Sequence, residues 1–307
     1  MPIDELSIFA TQALTLTPMQ GLGIPVALVG AVFLALGAQF QHRGVTKVEA
    51  SLGGKAKGLS KAQLLALLAR PSWIAGTVLL GLAVTLQLVA LRLAPLIVVQ
   101  PLGAIALVIT ALVNARITKT TLDRLTIRAI ALCIGGVGIF VTVAAFVGVE
   151  KPISDSQLIT ILIVLATVLL VAGSAFLTFR SRLTAIVYIV GAGVLYGFVA
   201  TLAKVVINRI ITGDFEWLTV TCVVALIAAT VIGAYFVQTA YVSGPPDLVI
   251  AGLTVIDPLV AVGIGIVVLG EASGAPLLAV LAFIVAGCLA IYGVFELSKH
   301  HPQNQRS

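Results

Sequence analysis

The chain has 307 residues, of which 60% are hydrophobic and 10% charged, with a formal net charge of +6 and a mean hydropathy of +1.18. Ordinary soluble domains carry roughly 25% charged residues and about 45–50% apolar ones, so 18 basic and 12 acidic side chains cannot cover the surface of a soluble protein this apolar. Intrinsic disorder is excluded by the same numbers, because disordered segments are polar and poor in aliphatic residues.

Crossing about 30 Å of hydrocarbon takes roughly 20 apolar residues in a helix. Long apolar runs predict spans near 22–41, 72–91, 94–114, 128–148, 157–178, 184–207, 217–240, 248–270 and 276–296. The expected fold is an all-α polytopic membrane protein of about nine transmembrane helices. Residues 1–20 precede the first span with Asp4 and Glu5 and no Lys or Arg, unlike the basic start of a signal peptide. They read as a translocated tail. Trp73 and Trp217 stand at predicted span starts, where interfacial Trp is common.

Cytoplasmic loops carry an excess of Lys and Arg. Fourteen basic residues fall on one side of the nine spans, six of them (Arg43, Lys47, Lys55, Lys57, Lys61 and Arg70) in the loop 42–70. The other side holds three, Arg92, Lys151 and Arg209, together with acids such as Asp155, Asp214, Glu216 and Glu271. The bias places the amino terminus outside and the carboxyl terminus in the cytoplasm of a cell membrane. It also accounts for the basic residues without nucleic acid. The stretch SLGGKAKGLSK at 51–61 does not fit a phosphate-binding loop and reads as a solvated linker. Cys133, Cys222 and Cys288 each stand alone in a separate apolar run, the pattern of small packing residues rather than of a disulfide or metal motif.

The two halves share a pattern. Superposing Gln100-Pro101-Leu102 on Asp257-Pro258-Leu259 also places Asn114 on Glu271, each thirteen residues past the proline. The spans involved, third and eighth, run in opposite directions. The chain therefore divides into a first repeat, 1–150 with four spans, and a second, 151–307 with five. Inverted repeats of this kind characterise secondary transporters, whose sites lie near the midplane between repeats.

At these residues the chain resembles the drug/metabolite transporter superfamily of the EamA type, whose repeats carry a proline in the penultimate helix, then a Gly-Glu end and a final helix. Pro258 and Gly270-Glu271 match that pattern; the first repeat departs from it with Asn114 in place of the acid. Many members have ten helices, and nine here correspond to loss of the first. Within the superfamily the first half is similar to the NIPA-type magnesium transporters, through Ala94-Pro95, Pro101-Leu102-Gly103-Ala104, the nine-span layout and the long first cytoplasmic loop. Gly197 and Lys204 late in span six are also similar to that group. Where it tends to have Thr before the repeat prolines, this chain has Gln100 and Asp257. The resemblance implies transport by alternating access, with magnesium as one substrate.

Asp257 is the one acid expected inside a span. A carboxylate there costs about 2.5–3.5 kcal/mol by insertion scales and normally faces a cavity. Pro258 beside it removes a helical hydrogen bond and frees a carbonyl, so a bent helix carrying a proton or cation site is expected. The alternative is a hydrogen-bonded Asp between helices. Gln100 is its repeat partner before Pro101, and Gln87, Gln238 and Gln39 are further amides that would line a polar pathway or serve as interhelical glue. A magnesium site would use Asp257 with the amides of Gln100 and Gln87, since Mg²⁺ keeps several waters and takes one or two carboxylates. Lys204 is expected to snorkel to the outer headgroups. Glu271 is expected in solvent at the outer end of span eight, beside the short turn ASGAP; the alternatives are substrate binding by Lys204 and a gating role for both. Gly193 and Gly197 give a GxxxG packing face.

An enzyme is not expected. His42, His300 and His301 lie at span ends or in the tail, and neither an HExxH motif nor a Ser/His pair occurs within a span. No cofactor is implied. The expected partners are a small solute or ion, the lipid bilayer and at most a second copy in a homodimer. A non-transporting membrane scaffold is the reading from another class.

Overall fold

The computed structural model describes residues 18–52, 68–118, 124–149, 151–179, 184–243 and 246–299. The amino-terminal tail with Asp4 and Glu5, the linker 53–67 and the carboxyl-terminal tail lie outside the described residues. Those described form helices joined by short turns, with no β-strand among them. The helices are α1 (Pro18–Leu52), α2 (Pro71–Leu93), α3 (Leu96–Leu102), α4 (Ala104–Thr118), α5 (Arg124–Val147), α6 (Asp155–Phe179), α7 (Ala185–Thr212), α8 (Trp217–Ser243), α9 (Pro246–Val267) and α10 (Leu277–Lys299). Among the described residues nine helical stretches are long and apolar enough to cross a membrane, α3 and α4 together making the third. Large apolar side chains such as Leu170, Val267 and Leu278 face outward, as they do where lipid is the solvent.

Local chemistry sets the helix ends. Pro71 begins α2 at a position whose N–H has no helical partner anyway. Ala94, forced by Pro95 into extended backbone (φ −144°, ψ 156°), ends it. Gly213 closes α7 in the left-handed region at φ 79°, where its N–H donates to the Ile210 carbonyl and that of Asp214 to Arg209. Pro101 and Pro258 behave differently. Helix α9 runs through Pro258 as one element, so the bend expected at Asp257 does not break it. The third span does break, just after Pro101, where the Gly103 N–H turns tightly onto the Gln100 carbonyl at 3.1 Å.

Helix α1 packs chiefly on α2, α7 on both α8 and α9, and α5 on α10, while α3 sits between α5 and α9. Small residues make these contacts close, since helices in lipid gain from packing rather than from leaving water. Gly23, Gly30, Gly37 and Gly44 recur every seven residues on α1 and all face α2. A Cβ on Gly37 would lie 3.0 Å from the Gly76 carbonyl oxygen, and one on Gly44 2.8 Å from the Trp73 Cβ.

The α5–α10 seam is closer still. A Cβ on Gly136 would meet the Ala290 backbone and the Ala286 carbonyl; one on Gly293 would meet the Cys133 backbone and the Ala129 carbonyl. Gly136 and Gly293, Cys133 and Ala290, Ala129 and Ala286 are each 157 residues apart. The contact is therefore reciprocal, and the order of the contacting residues makes the helices antiparallel. Phe140 meets Phe283 across the same seam in a tilted ring pair, centroids 4.8 Å apart.

Candidate functional site

Gly193 and Gly197 let the α7 backbone approach α9 on either side of Asp257. A Cβ on Gly193 would come within 2.7 Å of the Ile256 Cβ, and one on Gly197 within 2.6 Å of the Val260 Cβ. Asp257 is held at that crossing. Its Oδ1 is enclosed and has no hydrogen-bond partner, which at this depth is costly for a carboxyl oxygen. The Tyr196 phenol lies within electrostatic reach of it.

Pro101 and Pro258 come together. Both line one apolar cavity of about 70 Å³ with Val137, Phe140, Thr254 and Val294. Gln100 and Asp257 do not line it, because successive residues point about 100° apart around a helix. Gln100 is buried instead, while Gln87 and Gln39 are half-buried and Gln238 is exposed. None of the four lines the proline cavity. Among the described residues no three His, Cys, Asp or Glu side chains stand close enough to hold a metal ion. A cation at Asp257 would have that single carboxylate.

The strongest polar arrangement is elsewhere. Lys204 and Glu271 are each 2% exposed, and the Lys204 ammonium donates to Glu271 Oε1 at 2.9 Å. It also reaches the Ala94 carbonyl at 3.4 Å. Lys204 therefore does not snorkel, and Glu271 does not sit in solvent. Eight residues still separate Lys204 from the end of α7, about 12 Å at 1.5 Å per residue, and a carboxylate is nearer than the headgroups. Gly270, at φ 69°, turns the chain back at the end of α9. The Glu271 N–H then donates to the Gly265 carbonyl at 2.9 Å, and its own carbonyl accepts from Val149 at 2.8 Å.

The same carboxylate caps a buried helix start. Pro95 opens α3 among fully buried residues, leaving the Leu96 and Ile97 N–H groups without helical acceptors. They donate to Glu271 Oε1 and Oε2 at 2.9 and 3.0 Å. Glu271 thus joins three spans, the third, the sixth and the eighth. Gly265 makes the room, since a Cβ there would lie 2.7 Å from Glu271 Oε2.

A second ionic cluster, absent from the sequence reading, lies five residues further along α7. The Arg209 guanidinium donates to Asp155 Oδ1 at 2.8 Å and Thr219 Oγ1 at 2.8 Å, and more weakly to Glu216 Oε2 at 3.4 Å. It ties the start of α6 to the end of α7 and the start of α8. Lys151, in the link between α5 and α6, donates to Ser273 Oγ at 2.7 Å in the turn after α9.

No family model matches the chain, and no solved structure matches it. An uncharacterized protein of Corynebacterium glutamicum is 28% identical over 255 residues, covering 81% of this chain and 85% of its own.

Proposed function

We propose that this nine-span membrane protein is a secondary transporter of the drug/metabolite type. It moves a small solute or ion by alternating access, without ATP, with spans one to four and five to nine as inverted repeats. The observation that carries the reading is the α5–α10 seam. Elements related by a two-fold axis touch through equivalent residues, and here residues 157 apart exchange the same contacts. Antiparallel pairing of equivalent helices puts such an axis in the membrane plane, the arrangement of inverted-repeat transporters.

The same spacing relates Gly76 to Gly233. Each receives the helix that precedes its own, Gly76 meeting α1 at Gly37 and Gln41, and Gly233 meeting α7 at Leu195 and Tyr196. It also relates Gln100 to Asp257, so one side of the pseudo-repeat carries an amide where the other carries an acid. Asp257 is the coupling residue in this reading: it exchanges a proton or cation between the two access states. The side with fourteen basic residues is cytoplasmic, which leaves the amino terminus and the Glu271 end outside.

Uptake into proteoliposomes across a panel of Mg²⁺, monovalent and lipophilic cations, amino acids and lipid-linked sugars tests the reading. The membrane potential favours cation entry by about 2.3 kcal/mol per charge per 100 mV, so the Mg²⁺ arm should respond to an imposed potential if magnesium is carried. Asp257→Asn should abolish uphill accumulation and leave folding intact. Uphill transport at the normal rate in Asp257→Asn overturns the coupling role. Failure of every substrate favours the scaffold reading.

A further inference from the structure

We infer that the two ends of the bundle are closed by unequal devices, an ionic latch at the Glu271 end and a neutral contact at the Asn114 end, so that the protein rests with the Glu271 end shut. The inference rests on the inverted-repeat reading above.

Four differences carry it, each between positions 157 residues apart. Glu271 corresponds to Asn114, which is buried but carries no charge. Lys204 corresponds to Lys47; the first is buried against its carboxylate and the second is exposed. Their neighbours Val205 and Val48 are both buried. Gly265, whose missing Cβ admits the Glu271 carboxylate, corresponds to Val108, which carries a buried side chain. Leu96, where α3 starts, corresponds to Leu253, which lies seven residues inside α9. At the Glu271 end a buried helix start thus offers two N–H groups, and at the Asn114 end the equivalent backbone is already bonded within its helix.

Alternating access in an inverted repeat exchanges the conformations of the two halves. Opening the Glu271 end separates a carboxylate from an ammonium and from two N–H groups. Closing the Asn114 end in exchange brings no carboxylate to Lys47 from that position, because Asn114 is an amide. The two access states therefore differ in free energy, with the one closed at Glu271 favoured. A ligand can drive the exchange only through its differential affinity for the two states.

The test uses a single reporter, Leu96→Cys, in full-length protein whose three native cysteines are replaced by Ala. Leu96 is fully buried beneath the latch. A membrane-impermeant maleimide is applied from the Glu271 side. Glu271→Gln should raise the labelling rate at least about tenfold, the population change that corresponds to about 1.4 kcal/mol. Lys204→Met with Glu271→Gln, which leaves no orphan charge, should raise it likewise and serves if the single variant fails to fold. Asn114→Glu with Val108→Gly builds the missing latch at the far end and leaves Glu271 untouched. It should also raise labelling of Leu96→Cys, and Lys47→Met should cancel that gain. Wild-type labelling in the charge-free double variant, or in the grafted one, overturns the inference. Labelling needs no substrate, so these outcomes are independent of whether Asp257→Asn loses coupled transport.

Discussion

Two cations five residues apart on α7 meet opposite treatment. The Lys204 and Glu271 side chains are each 3% exposed, whereas Arg209 is 11% exposed and its acids Asp155 and Glu216 are 63% exposed. The acids of Arg209 keep most of their water and are screened by salt. Neither Lys204 nor Glu271 has water to fall back on. What ranks the two sites is how much each charge would lose if its partner left.

The largest effect should follow from orphaning the buried ammonium. Glu271→Ala removes the partner of Lys204 and the cap of α3 together, and it should cost about 3–5 kcal/mol, read as denaturant stability in detergent. Adding Lys204→Met should recover much of that loss, because a pair replaced whole leaves no buried charge. Gly265→Ala comes next. Its methyl group would stand 2.7 Å from Glu271 Oε2, so about 1–3 kcal/mol of overpacking is expected, measured as a fall in melting temperature in detergent. Asp155→Asn should be the mildest, below about 1 kcal/mol and fading as salt rises. A loss at Asp155 equal to that at Glu271, unchanged from low to high salt, would erase the distinction between the two sites.

The nine long apolar helices among the described residues were readable because hydropathy and length act locally along the chain, and each predicted run lies within a few residues of a helix. The pairing of Lys204 with Glu271 was not. Depth along a single helix argues for snorkelling, and the partner stands 67 residues away beyond a turn that folds back into the bundle. Its signals were present: a glycine at 265, a second at 270, and a Pro95 that starts a helix needing acceptors. The spacing of 157 between Lys47 and Lys204 was also there to be seen, once Gln100 had been set on Asp257. The two prolines leave their spans in different states. Gly103 follows Pro101 and lets the third span break, while Val260 stands at the corresponding place in α9 and the helix continues. The seven-residue glycine ladder on α1 was likewise visible as spacing, but the helix it faces could not be read from spacing alone.

The α5–α10 seam bears on how the chain could be divided. A cut in the link between α5 and α6 leaves each fragment with one whole surface of the seam, since Gly136 and its neighbours belong to one fragment and Gly293 and its neighbours to the other. The fragments lose only a short tether, and the Lys151–Ser273 and Val149–Glu271 hydrogen bonds already hold its two ends against the α9–α10 turn. Because the surfaces are reciprocal, each fragment also carries most of what it needs to pair with its own kind. Such a pairing requires two copies inserted in opposite senses, and the Lys and Arg bias opposes that reversal. Charge in the loops, more than shape at the seam, would then select the pairing of unlike halves.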